Sequence, residues 1–189
     1  MKTYRDTHRM ILRELTLDDE ENLFALDSDP EVMRYLTLGV PSSREDIRAG
    51  LIRIRELHTK HNGRFGFWAA EEKQTGFFMG WFLFRPAKDS PENTDRIEIG
   101  YRLRKEFWGK GFATEGSREI ITKGFQELMI PEIFAIAMKD NQASRHVIEK
   151  LGLVYIREYP NDRFPKETTV EYSIRREKWL ISREPGFHK

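Results

Sequence analysis

The sequence predicts a mixed α/β fold with helices on both faces of a central sheet. Apolar residues alternate with Glu98, Gly100 and Arg102 through Ile97, Ile99, Tyr101 and Leu103, the two-residue period of a strand. Along Ala113–Leu128 they fall on one stripe through Ser117, Ile120, Ile121, Gly124 and Phe125, the period of a helix. A second apolar run, Ile133–Ala137, follows that helix. Strand, helix and strand in this order imply a parallel pair with a right-handed crossover. The flanking segments read as antiparallel hairpins, so the sheet is mixed.

The elements follow in order. Arg9–Leu15 reads as a strand, and Thr16 or Asp18 caps the helix behind it, with Leu23, Phe24 and Leu26 supplying its apolar face. Asp29-Pro30 opens a short helix that turns Val32, Met33 and Leu36 inward. Ser42 or Ser43 caps a longer one carrying Ile47, Leu51, Ile54 and Leu57, which Asn62-Gly63 ends. Phe65–Glu71 and Phe77–Phe84 form a hairpin across Gly76. Arg85–Thr94, rich in proline and acidic residues, is a flexible or substrate-facing loop. Asn141 caps a helix over Gln142–Leu151, and Gly152 stops it. Strands Leu153–Tyr159 and Thr168–Ile174 close the chain before a short tail.

Composition removes several function classes. The chain's 189 residues are expected to form one domain. With 32 basic and 31 acidic side chains, no global field draws it to nucleic acid. No apolar run approaches a transmembrane span and no signal-peptide core is visible, so a cytoplasmic protein without a membrane partner is expected. The absence of cysteine excludes disulfides, thiolate metal sites and a cysteine nucleophile. Of five histidines, His58 and His61 stand three apart on a helix. No third ligand is spaced to join them, so no metal is expected; they read as surface residues near a helix C-terminus.

Between the Arg96–Leu103 strand and the following helix stands Trp108-Gly109-Lys110-Gly111-Phe112-Ala113-Thr114-Glu115. Two glycines one residue apart permit a sharp turn, and the helix N-terminus offers unpaired N–H groups. The combination suits a cradle for phosphate, as in a coenzyme with a pyrophosphate, or a glycine-rich strand-to-helix turn with no ligand. A P-loop is excluded because Lys110 is followed by Gly111 and Phe112, and a dinucleotide fingerprint fails because Thr114 stands where its third glycine or alanine belongs.

The run Trp108-x-x-Gly111-x-Ala113 resembles the acyl-coenzyme A loop of the GNAT superfamily of N-acetyltransferases. Trp108 departs from the family's Gln or Arg; an aromatic residue there resembles the Rim-type subgroup, which acetylates ribosomal-protein N-termini. Asn141-x-x-Ser144-Arg145, followed by Glu149-Lys150-Leu151-Gly152-Leu153, is similar to that subgroup's second motif, with Leu153 for the usual Phe. The resemblance covers about residues 8–178. It implies a GNAT-like, mostly antiparallel sheet, acetyl-coenzyme A as cosubstrate, and as partner an amine acceptor, a protein N-terminus or a small molecule. Monomer and homodimer remain open.

The resemblance assigns the pantetheine arm to backbone groups around Tyr101, Arg102 and Leu103, with Asn141 nearby, and the pyrophosphate to Trp108, Gly109, Lys110, Gly111, Phe112, Ala113 and Thr114. Asn141 also reads as a plain helix cap. Glu98 is the first candidate for the base that takes the amine's proton; its rival role is a strand ion pair with Arg102. Glu71 is a second candidate base. Ser144 is the candidate donor to the leaving thiolate, or an ordinary first-turn helix serine, while Ile148 stands where many relatives place a tyrosine. Trp68, Trp81, Trp108, Phe77, Phe78 and Phe82 read as core or as an acceptor pocket. The rival to an enzyme is a coenzyme A-binding sensor or partner module without transferase activity.

Overall fold

The computed structural model describes residues 3–183. Eight strands share one sheet: β1 (Thr3–Asp6), β2 (Met10–Glu14), β3 (Gly66–Glu72), β4 (Phe78–Pro86), β5 (Arg96–Leu103), β6 (Glu132–Met138), β7 (Val154–Pro160) and β8 (Thr168–Arg175). Their order is β1-β2-β3-β4-β5-β6-β8-β7. Every neighbouring pair is antiparallel except β5 with β6. That exception is the crossover expected from the strand–helix–strand run. The helices are α1 (Glu20–Asp27), α2 (Pro30–Thr37), α3 (Arg44–Lys60), α4 (Phe112–Gln126), α5 (Gln142–Lys150) and α6 (Arg176–Ile181).

Alternation sorts the strand residues between two cores. One face sends Met10, Leu12, Phe82, Phe84, Ile97 and Ile99 against Ile120, Ile121 and Phe125 of α4, with Ile148 and Trp179 alongside. The other sends Leu15, Ala69 and Phe78 against Leu23, Leu26, Val32, Ile47 and Leu51 of α1–α3. Helices therefore cover both faces, but the second cluster takes no residue from β6, β7 or β8.

Close approach, not only apolarity, places α4. A Cβ on Gly116 would lie 2.3 Å from the Phe82 ring, and one on Gly124 2.8 Å from the Phe84 ring. Two glycines two turns apart let the helix lie flat on β4. Gly80 does the same for β4 on β5: at φ 140° its Cβ would meet the Arg102 carbonyl oxygen at 2.1 Å.

Several expectations are corrected. β1 and α6 were not read from the sequence; the first has four residues without clean alternation, and the second is a short charged helix anchored by Trp179 on Phe125. Helix α4 starts at Phe112, not Ala113, and stops at Gln126. Strand β4 runs on through Pro86, and Glu92 in the following loop pairs with Lys60 of α3. His58 is not on the surface. It is 4% exposed, its Nε2 accepts the Phe67 N–H at 3.0 Å, and its Nδ1 lies 3.3 Å from Glu14. His61 instead turns its ring edge to Phe65, so the two histidines do not converge. His188 lies outside the described residues. No described helix is long and apolar enough to cross a membrane.

Candidate active site

The glycine loop turns sharply into α4. After Leu103 a short 3-10 turn, Lys105–Phe107, leads into the loop. Gly109 and Gly111 take φ values of 70° and 83°, open to glycine without strain. No heavy atom lies within 4 Å of where a Gly109 side chain would begin. Gly111 is the N-cap of α4 and supplies no side-chain cap. The first helical bond runs from the Glu115 N–H to the Gly111 carbonyl at 3.0 Å. The N–H groups of Phe112, Ala113 and Thr114 thus have no helical acceptor and meet the positive end of the helix dipole. This donor set suits a diphosphate. Trp108, where the family pattern has Gln or Arg, ties the loop down: its indole Nε1 donates to the Leu103 carbonyl at 2.7 Å.

The second feature is a gap in the sheet. β4 and β5 pair over seven positions, from Gly80 with Leu103 to Pro86 with Ile97. β5 and β6 pair at three only: Arg96 with Glu132, Ile97 with Ile133 and Glu98 with Phe134. From Ile99 to Leu103 the edge of β5 toward β6 has no strand beside it. Tyr101, Arg102 and Leu103 lie on that stretch and continue into the cradle.

Helix α5 begins across the gap. Asn141 caps it, its Oδ1 accepting the Ser144 N–H at 3.1 Å. The plain cap role is therefore present, and the carboxamide nitrogen and the second lone pair of Oδ1 are left for another partner. Burial pushes the Tyr101 phenol above the ordinary tyrosine range, and the Ser144 side chain near it opposes that shift. Ile148, one turn on, is buried in the core.

Glu98 stands at the last rung of the β5–β6 ladder. It does not pair with Arg102. Its Oε2 accepts Arg85 Nη2 at 2.7 Å, because Arg85 is its direct cross-strand neighbour and such neighbours meet before diagonal ones. Arg102 instead pairs with Asp27 of α1 and lies over the Trp81 ring. Glu71 is held elsewhere: Arg13 Nε donates to it at 2.7 Å while the same guanidinium grips Asp19. The six aromatics divide. Trp68, Phe78 and Phe82 are buried core, and Phe77 and Trp108 are each 46% exposed. Trp81 lines a cleft with Phe67, Ile47, Asp27 and Arg102.

Two residues beside the cradle were not read from sequence as part of the site. Glu115 Oε1 accepts the Thr7 hydroxyl and the Arg9 N–H at 2.6 and 2.8 Å, and its Oε2 accepts Arg9 Nε at 2.7 Å. The available signals were the acidic residue closing the glycine run and the arginine opening the first predicted strand.

A sheet parted beside a glycine loop at a helix N-terminus is the feature that sets this fold apart. The chain matches the Acetyltransferase (GNAT) domain over residues 9–154. It belongs to the GNAT acetyltransferase family, and it is an acyltransferase that uses acetyl-coenzyme A to acetylate amines. An FsC-acetyl coenzyme A-N(2)-transacetylase of Aspergillus fumigatus is 35% identical over 95% of this chain and 79% of its own. The uncharacterized N-acetyltransferase YoaA of Bacillus subtilis is 31% identical over 89% of this chain and 94% of its own. The fold matches that of RimL, a ribosomal L7/L12 α-N-protein acetyltransferase in complex with coenzyme A, with a TM-score of 0.77 and 15% identity over 92% of this chain and 98% of that one.

Proposed function

We propose that this chain transfers the acetyl group directly to the primary amine of a small molecule or a protein N-terminus, within one transferase domain spanning the chain and without a covalent enzyme intermediate. The carrying observation is the three-position β5–β6 ladder, which leaves the Ile99–Leu103 edge free beside the cradle. In this reading the N–H groups of Phe112, Ala113 and Thr114 hold the diphosphate, and the backbone of Tyr101–Leu103 holds the arm and the thioester. Glu98, where the ladder ends, takes the amine's proton directly or through water. The amine nitrogen bonds to the acetyl carbon, the carbon–sulfur bond breaks, and Ser144 donates a hydrogen bond to the departing sulfur. The relative acting at N(2) supports a small-molecule acceptor; the likeness to RimL concerns the fold alone.

The test is a thermal shift with acetyl-coenzyme A, with ATP and NAD as controls, followed by turnover on small amines and N-terminal peptides. Acetyl-coenzyme A at about 100 times its dissociation constant should add roughly 2.7 kcal/mol and raise the melting temperature by several degrees. No shift at saturation would sink the cradle reading. Binding without turnover on any amine would favour a sensor.

A further inference from the structure

Glu115 poses an electrostatic puzzle. A carboxylate in the first turn of a helix that receives a diphosphate should repel it. Its surroundings turn that charge to another use. Burial alone would raise the Glu115 carboxyl, but the bonds from Thr7 and Arg9 outweigh it and hold the group below the usual carboxylate range. Three donors converge on it, from the Thr7 hydroxyl, the Arg9 backbone and the Arg9 guanidinium. The Arg9 guanidinium, so anchored, reaches over the loop. Its Nη1 donates to the Lys110 carbonyl at 3.1 Å, and its central carbon lies 4.0 Å from the centre of the Phe112 ring. Arg9 therefore touches the residue between the two glycines and the first residue of α4. A side chain on Gly111 would meet its Nη2 at 3.5 Å.

We propose that Arg9 and Glu115 are positioning residues that lock the Trp108–Phe112 loop with its free N–H groups outward, so that recognition of the phosphate-bearing half of the coenzyme depends on the turn that joins β1 to β2. The proposal rests on the cradle reading given above. The physical basis is the freedom of the loop: Gly109 and Gly111 make its turn possible but also leave it mobile in the absence of a brace. The Lys110 carbonyl, if not held back by Arg9, is free to rotate toward the cradle, where an oxygen repels phosphate. The ring of Phe112 fixes the guanidinium's plane, and Glu115 fixes its azimuth through a charge-assisted bond.

The experiment compares two acetyl thioesters, acetyl-coenzyme A and S-acetyl-pantetheine, which lacks the phosphates. Glu115→Gln removes a negative charge near the cradle. Electrostatics alone predicts tighter binding of acetyl-coenzyme A. Positioning predicts weaker binding, by about tenfold in KM, with kcat at saturation and kcat/KM for S-acetyl-pantetheine unchanged. Arg9→Lys, which keeps the charge but cannot reach Glu115, Lys110 and the Phe112 ring together, should do the same and serves if the first variant does not fold. Equal or tighter binding of acetyl-coenzyme A by both variants overturns the proposal, as does a proportional loss with both thioesters, which would mean general damage to the fold. If the wild-type protein itself fails to distinguish the two thioesters, the cradle reading fails first, and this inference with it.

Discussion

Arg85 and Glu98 face each other across β4 and β5, bonded at 2.7 Å, where the β5–β6 ladder stops. Both are largely buried, with side-chain exposures of 15% and 11%. The arginine therefore orients the carboxylate at the mouth of the gap. With Glu98 as base, Glu98→Gln should lower kcat by about 10² or more and leave acetyl-coenzyme A affinity unchanged by titration calorimetry. Arg85→Gln should lower kcat less, because the carboxylate remains but its aim is lost. A Glu98→Gln enzyme with wild-type kcat would exclude the role.

Tyr101 and Ser144 should behave as one unit. Burial pushes the Tyr101 phenol above the ordinary tyrosine range, so it stays uncharged beside Ser144 at neutral and mildly alkaline pH. Ser144→Ala and Tyr101→Phe should each lower kcat by about tenfold, and the double variant should lose far less than their product. Simple multiplication of the two losses would separate them.

His58 predicts a pH effect on stability. Burial is the main cause that lowers its pKa, and the nearby Glu14 opposes this less strongly. Since Nε2 accepts the Phe67 N–H, the folded state needs that nitrogen unprotonated. The folded pKa is below the unfolded one, so the contribution is complete above the ordinary histidine value and is lost as pH falls through the folded value. The melting temperature should drop as pH falls below about 6.5, and His58→Gln, which can still accept from Phe67, should flatten that slope. An unchanged slope in the variant would assign it to other groups.

The two glycine contacts should differ in cost. Gly80→Ala combines a positive φ with a collision against the Arg102 backbone, and should destabilise by on the order of 3 kcal/mol in denaturant titration. Gly116→Ala meets the Phe82 ring, which can shift only by disturbing the main core, and should cost about 1–3 kcal/mol. A neutral Gly80→Ala would contradict the packing of β4 on β5.

What the sequence disclosed follows from what is local. The glycine run was legible, and the α4 start to within one residue, because positive φ and helix onset are properties of a few adjacent residues. The Asn141 cap was legible for the same reason. Glu98 was singled out, but its partner was misread. Arg102 and Arg85 both share its face, and only the β4–β5 register, fixed by a hairpin with a long loop, decides between them. His58 continues the spacing of Ile47, Leu51 and Ile54, so its inward position was written in the period; its polarity argued the other way. The Arg9–Glu115 pair spans 106 residues, beyond any local pattern.

The three-position seam between β5 and β6 also governs how the molecule yields. The slab β2–β5 and the slab β6–β8 are each stitched by longer ladders. Between these two slabs thermal breathing should part the sheet along its shortest interior stitch, which makes the β6-side edge of β5 the most compliant line inside the sheet. A ligand laid there would act as a splint, stiffening both slabs at once.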